Sequence, residues 1–294
     1  MGMRILAADI GGTNTKMGIC DELGNIIQFK EYATEAHLGG PHLMERLLLQ
    51  MEEYDHFDAI AISTAGQVNA DEGYISYANE NIPNYTGMKI REILEERFHK
   101  PVRVENDVNA AALGEASFGA AESFKDFLCL TFGTGIGGAI VMNRQIYRGA
   151  NGSAAEFGHI FTHSLAGMEG GARKPYYETF ASTTALIRMA QEADPEIVDG
   201  KGFFGKISTG NHTLQQILES WVVEVSAGLA SLIHIFNPSA IIVGGGVMEQ
   251  DHLVRLVEKQ TKDLIMSSFS NVTIRKASLG NKAGLLGAAS LFLR

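Results

Sequence analysis

Short apolar runs that break off at glycines organise this chain. Residues 4–10 form one such run, closed by Gly11-Gly12-Thr13-Asn14-Thr15, and apolar segments at 16–20 and 25–32 flank the turn Asp21-Glu22-Leu23-Gly24. Strand, tight glycine turn, strand, turn and strand make an antiparallel three-stranded start. Apolar positions 43, 44, 47, 48 and 51 then follow a helical period opened by Pro41. Residues 57–64 read as a buried strand ending in Ala65-Gly66, 89–98 as a helix, 102–104 as a strand running into Glu105-Asn106-Asp107, and 108–118 as a helix. The same order then restarts. The run 127–132 enters Gly133-Thr134-Gly135-Ile136-Gly137-Gly138, followed by strands at 139–142 and 145–147. A continuous 3.6-residue stripe runs from 214 to 236 and stops at Asn237-Pro238. Residues 240–243 form a strand before Gly244-Gly245-Gly246, with a helix at 253–265, a strand at 272–277 and a closing helix at 283–292.

Two copies of one plan decide the architecture more firmly than any single element. Each copy predicts a mixed sheet with helices on both faces. Ligands in open α/β sheets bind beyond the carboxyl ends of strands, and both glycine turns sit at such ends. The expected fold is α/β and duplicated, with two domains around a central cleft. The N-terminal domain spans 1–117, with the closing helix 283–294 packing back on it. The C-terminal domain spans 118–282 and carries a glycine-rich, polar, irregular insertion at 149–210, at the mouth of the cleft.

Composition narrows the function classes. With 45% of 294 residues hydrophobic and 20% charged, the chain has material for cores and is not disordered. A net charge of −10 argues against nucleic acid as the main partner. Two cysteines exclude a disulfide scaffold and a four-thiolate zinc site, and imply a reducing, cytoplasmic setting. No charged n-region and apolar h-region precede the first strand. The longest apolar stretch, 221–236, is interrupted by Glu224, Ser226, Ser231 and His234 and falls short of the roughly 20 residues that span a bilayer, so no membrane partner is expected.

The chemistry-bearing residues cluster at the strand ends. Asp9-Ile10-Gly11-Gly12-Thr13 sets a carboxylate before two residues without Cβ; such a backbone suits a phosphate, and Asp9 beside it suits hydrated Mg2+, although a plain tight turn has the same sequence. The turn at Gly133, Thr134 and Gly135 is its counterpart. It is not a P-loop, and a strand follows it where a dinucleotide fingerprint needs a helix. Gly244-Gly245-Gly246 offers a third bare backbone, suited to the flat face of a nucleoside. Together the three turns point to nucleotide binding. Asp107 at a strand end can accept a proton from a hydroxyl attacking a γ-phosphorus, but Asn106 and Asp107 also suit a helix N-cap, and the two roles are compatible if one caps while the other faces the cleft. Glu156, His159 and Glu178, in the irregular insertion, are natural ligands for sugar hydroxyls.

In this order, Asp9-Ile10-Gly11-Gly12-Thr13, Glu105-Asn106-Asp107, Gly133 to Gly138, Glu156-Phe157-Gly158-His159 and Ile242 to Gly246 resemble the ROK family, over about residues 5–289. That family holds repressors and bacterial sugar kinases on the duplicated actin-like, ribonuclease-H-like ATPase fold. The resemblance implies Asp107 as catalytic base. It implies Gly66, Asn106, Glu156, His159 and Glu178 at the sugar. Asp9, Gly11, Gly12, Thr13, Gly133, Thr134 and Gly135 would hold the phosphates of Mg-ATP, with Mg2+ at Asp9 through water, and Gly245 the adenosine. A homodimer is the family expectation.

Two departures sharpen the resemblance. Most members carry three zinc-binding cysteines in a run where this chain has Glu169, Gly171 and Tyr176. No structural zinc is therefore expected, which leaves His159 available to sugar and the loop around Glu178 open to another placement. Repressor members have a helix-turn-helix before the first strand, and this sequence has none. The cysteine-free loop resembles the β-glucoside kinase branch, implying transfer to the 6-hydroxyl of a β-linked disaccharide such as cellobiose. Alternatives are a monosaccharide kinase acting on glucose, fructose or N-acetylmannosamine, and a sugar-responsive regulator on the same fold.

Overall fold

The computed structural model describes residues 2–164 and 174–293. Glu169 and Gly171 lie outside the described residues. In chain order the elements are β1 (Ile5–Ile10), β2 (Asn14–Cys20), β3 (Ile26–Ala33), α1 (Gly40–Met51), β4 (Ala59–Thr64), β5 (Gln67–Asn69), β6 (Tyr74–Tyr77), α2 (Ile90–Phe98), β7 (Val102–Asn106) and α3 (Asp107–Phe118). Then follow β8 (Phe127–Phe132), β9 (Ile136–Met142), β10 (Gln145–Ile146), α4 (Tyr177–Ala181), α5 (Thr183–Ala193), α6 (Gly200–Ser208), α7 (His212–Phe236), β11 (Ala240–Gly244), α8 (Asp251–Leu264), β12 (Thr273–Lys276) and α9 (Ala283–Ser290). The chain divides into two compact units. Unit 1 comprises Met1–Ser123, Gln145–Ala154 and Ser278–Arg294; unit 2 comprises Phe124–Arg144 and Ala155–Ala277.

In unit 1 the sheet order is β3-β2-β1-β4-β7. β2 runs antiparallel to β1 and β3, while β4 and β7 run parallel to β1. Period-two alternation sends Leu6, Ala8 and Ile10 to one face, where they join Leu43, Met44 and Leu47 of α1 and Ile90 and Leu94 of α2. Ile5 and Ala7 go to the other face, against Leu285, Ala288 and Ala289 of α9. Asp9 continues this second series, so its carboxylate emerges at the strand end on the α9 side, where a Cβ on Gly284 would stand 2.5 Å from its Oδ1. The helix must be bare there.

Unit 2 repeats the plan. Its strands run in the order β9-β8-β11-β12, with β9 antiparallel to β8, and with β11 and β12 parallel to it. The long helix α7 buries Leu218, Trp221, Val225, Leu229 and Ile233 and packs against α4, α5, α6 and α8. By length and composition this 25-residue helix could cross a membrane, contrary to the shorter apolar stretch expected from the sequence; 56% of its most apolar window is buried, which is the signature of a core helix.

Three expectations need correction. The 149–210 stretch is not irregular throughout, because its described part contains α4, α5 and α6. α5 is capped by Ser182, whose side chain accepts from Ala185 N, and α6 by Asp199, which accepts from Gly202 N. The glycine hexamer is only half a turn: Ile136, Gly137 and Gly138 already pair with Phe132, Thr131 and Leu130 in the β8–β9 ladder. A further antiparallel pair, β5–β6, follows Gly66, where the sequence reading had no strands.

One buried carboxylate locks α3 to the chain entering α9. Glu115 Oε1 accepts from Ser278 N and Leu279 N, both at 2.9 Å, and Oε2 accepts from Ala120 N at 2.7 Å and Ser278 Oγ at 3.0 Å. Glu115→Ala strands four donors, three of them backbone amides. A loss of about 3 kcal/mol in denaturant unfolding is expected; a loss below about 1 kcal/mol would mean that water replaces the carboxylate.

Candidate functional site

In unit 1 the β-sheet register assembles the first cluster. Asp9 lies opposite Lys16 across the β1–β2 pair and opposite Ser63 across β1–β4. Ser63 Oγ donates to Asp9 Oδ1 at 2.7 Å, and Lys16 Nζ stands 3.8 Å from Oδ2. Burial pushes the Asp9 carboxyl up, against the Ser63 hydrogen bond and the Lys16 charge. Neither partner was singled out from the sequence; both follow from being one strand away. The turn after β1 is closed by Gly11 N donating to Asn14 O at 3.1 Å and by Thr34 Oγ1 donating to Gly11 O at 2.7 Å. A Cβ on Gly12 would meet nothing, so protein packing does not account for glycine there. Gly12 and Thr13 are exposed.

At the end of β7 the helix cap is Asn106. Asn106 has extended backbone angles (φ −62°, ψ 147°) and its side-chain oxygen accepts from Val108 N and Asn109 N. Its Nδ2 donates to Gly66 O and to Asp107 Oδ1, each at 2.9 Å. Asn106 therefore spends its hydrogen bonds on the cap, on Gly66 and on Asp107. Gly66 adopts φ +95°, which presents its carbonyl to that amide. Asp107, half-buried at the first position of α3, accepts from Val108 N at 2.9 Å with the same Oδ1. Its Oδ2 has no hydrogen-bond partner among the described residues. Burial, reinforced by the negative charge of Asp9 and opposed by the bonds from Val108 and Asn106, pushes the Asp107 carboxyl up to about 6.

Unit 2 brings together the three candidates of the insertion. His159 sits between two carboxylates, with Nδ1 3.6 Å from Glu156 Oε2 and Nε2 4.0 Å from Glu178 Oε1. All three side chains keep solvent exposure. Glu178, in the first turn of α4, accepts from Ile136 N at 3.2 Å. Its carboxylate fits because Gly135 and Gly158 flank it; a Cβ at either would stand 2.5 or 2.6 Å from Oε2. Part of the glycine turn thus seats a side chain of the same unit. Gly133 and Thr134 are exposed, and a Cβ on Gly133 would meet nothing. Gly245 has φ +101°, and a Cβ there would collide with the Phe132 carbonyl, so glycine at 245 is required by the fold itself. The open position in that turn is its neighbour Gly246.

The comparisons with known proteins bear on the whole chain. The model of the ROK family matches residues 5–294. The chain belongs to the ROK family. It is 33% identical over 299 residues to a β-glucoside kinase of Listeria monocytogenes, covering 99% of this chain and 98% of that protein. A ROK family glucokinase from Streptomyces griseus, solved in complex with glucose and AMPPNP, matches with a TM-score of 0.82 and 32% identity over 98% of both chains. The ROK hexokinase from Thermus thermophilus matches with a TM-score of 0.83 and 31% identity over 98% of this chain and 97% of its own. The repeated sheet plan and these neighbours make the fold the actin-like ATPase fold, and the chain is a carbohydrate kinase.

Tyr176, at a position where the resemblance leads one to expect a cysteine, makes aromatic contacts. Its ring lies 5.1 Å from that of His159 and 5.2 Å from that of Phe161. Phe161 and Tyr176 form a single antiparallel bridge, and Tyr177 N donates to Ile160 O at 2.8 Å. Backbone pairing and aromatic contact thus join the His159 segment to the start of α4, and Glu178 is seated beside His159. Among the described residues no group of three or more His, Cys, Asp or Glu gathers to hold a metal.

Proposed function

We propose that this ROK kinase transfers the γ-phosphoryl group of Mg-ATP to the 6-hydroxyl of a sugar, with a β-linked disaccharide such as cellobiose as acceptor and Asp107 as the general base. The observation that carries the reading is the state of Asp107. One carboxylate oxygen is held by Asn106 and Val108, the other is without a hydrogen-bond partner among the described residues, and its affinity for a proton is raised to about 6. A base poised just below neutral pH takes a hydroxyl proton more readily than an ordinary aspartate and is still ionised at pH 7.

The nucleotide fits the residues present. Gly12, Gly133 and Gly246 each leave open space where a Cβ would stand, which lets backbone N–H groups approach phosphate or a base. Lys16 adds a positive charge beside Asp9. Mg2+ keeps several waters and takes one or two carboxylates plus phosphate oxygens, so the single carboxylate of Asp9 is a sufficient protein anchor. When bound, the ion neutralises charge on the transferring phosphate. Gly11, Thr13, Thr134 and Gly135 complete the phosphate-binding set in this proposal, and Gly245 the adenosine end. Glu156, His159 and Glu178 take the sugar hydroxyls, with Gly66 and Asn106 holding Asp107 in place.

Similarity to a β-glucoside kinase over 99% of the chain supports the disaccharide. Similarity to a glucokinase solved with glucose supports a monosaccharide as the second reading. ADP release measured across cellobiose, gentiobiose, glucose and N-acetylmannosamine, with Asp107→Asn as control, separates them. Larger kcat/KM for the two disaccharides is expected. Glucose in the lead would replace the acceptor, and sugar binding without ADP release above the control would leave a sensor in place of a kinase.

A further inference from the structure

Glu105 precedes Asn106 in β7 and is fully buried. Its Oε1 accepts from Asn106 N at 2.9 Å, from Asn109 Nδ2 at 3.1 Å and from Arg148 Nη1 at 2.9 Å, while Arg148 Nη2 lies 2.5 Å from Oε2. The guanidinium, 43 residues away in sequence, therefore holds Oε1 by a hydrogen bond and faces Oε2 as an ion pair, while Oε2 itself has no hydrogen-bond partner among the described residues. Arg148 stands on the Gln145–Ala154 segment of unit 1, which is also tied down by Ser153 Oγ donating to Gln67 Oε1 at 2.9 Å.

An ion pair on a buried carboxylate is a weak device for stability, since well-packed apolar residues often serve as well or better. Its position gives it another use. The carboxylate of Glu105 holds the backbone of Asn106, and Asn106 in turn caps α3 and donates to Asp107 Oδ1. The orientation of the Asp107 carboxyl is thereby set through two linked side chains whose far end is Arg148.

We propose that Arg148 is a positioning residue for phosphoryl transfer, acting through Glu105 and Asn106 on the aim of Asp107. The proposal rests on Asp107 being the base. Loss of Arg148 leaves Glu105 held through Oε1 by Asn106 N and Asn109 Nδ2 alone, with no positive charge beside the carboxylate, and a displacement of about 1 Å at a reacting group costs on the order of a hundredfold in rate.

The pair borders a cavity of about 320 Å³ lined also by Arg91, Arg103 and Asp71, so a small cation can reach Glu105 once the Arg148 side chain is cut back. In Arg148→Ala, kcat is expected to fall roughly ten- to hundredfold, and low millimolar guanidinium chloride to restore it several-fold where equal sodium chloride or urea does not. A mere folding defect has no reason to respond to guanidinium. Wild-type kcat in Arg148→Ala, or a loss that guanidinium fails to relieve, overturns the proposal. If Arg148→Ala does not fold, Arg148→Lys decides: an intermediate kcat with unchanged melting supports it, and wild-type kcat sinks it. Asp107→Asn is run in parallel. Activity surviving in that variant removes the base and the proposal with it, whereas a dead Asp107→Asn beside an unaffected Arg148→Ala removes only the role of Arg148.

Discussion

Asp107→Asn is expected to lose roughly a thousandfold in kcat, within the range a positioned general base contributes, and to melt higher than the wild type at pH 8. The amide oxygen of asparagine can accept from Val108 N and Asn106 Nδ2 as Asp107 Oδ1 does, so the local geometry and sugar binding survive; equal losses in binding and turnover would count against the role. The stability gain follows from the direction of the proton equilibrium. The folded carboxyl holds its proton up to about pH 6, against 3.8 as its ordinary value. Folded protein therefore binds a proton that unfolded protein has released, and stability declines as pH rises through that window and stays lower above it. Asparagine carries no charge at any pH. Against it stands the few tenths of a kcal/mol by which a carboxylate favours the first turn of a helix, leaving a net gain on the order of 2 kcal/mol at pH 8. Melting curves from pH 4 to 8 should show the gap opening between about 4 and 6, and the acid limb of wild-type kcat/KM should fall in the same region. A variant that melts below the wild type at pH 8 would refute the strain assigned to this carboxylate.

This coupling of local strain to chemistry also explains what the sequence could reveal. Strands β1, β4, β8 and β11 are apolar runs closed by glycine, and a repeat of that plan was legible because periodicity and turn residues agree in both copies. Helix α6 was not, because Gly200, Gly202 and Gly205 lie inside it and mask its apolar positions, and α5, which holds no glycine, was missed with it; the caps at Ser182 and Asp199 were the available signal. Asp9, Asp107, Glu156, His159 and Glu178 could be picked out as residue types at strand ends and loops. Their partners could not. Lys16 and Ser63 reach Asp9 through sheet register, Arg148 reaches Glu105 from a distant segment, and the assignment of Asn106 as cap depends on backbone angles that Asn and Asp share.

Gly287→Val is expected to cost more than about 4 kcal/mol and to leave little folded protein. A Cβ at that position would stand 1.6 Å from the Ala110 carbonyl oxygen and 2.3 Å from its carbon, so α3 and α9 cross with backbone against backbone. No side-chain rotation relieves a clash with a helix carbonyl, and separating the helices would expose Leu285, Ala288 and Ala289 beneath the sheet. The crossing also fixes Gly284 against Asp9 Oδ1. Gly284→Ala is the gentler companion: the clash is with a side-chain carboxylate that can turn away, so the fold should persist while Asp9 leaves Ser63 and phosphoryl transfer slows. Circular dichroism melting of both variants, with ADP release for Gly284→Ala, separates the two effects. A Gly287→Val protein melting near the wild type would show that the crossing yields, and with it the argument that the same approach of helices which closes the core also sets the carboxylate of Asp9.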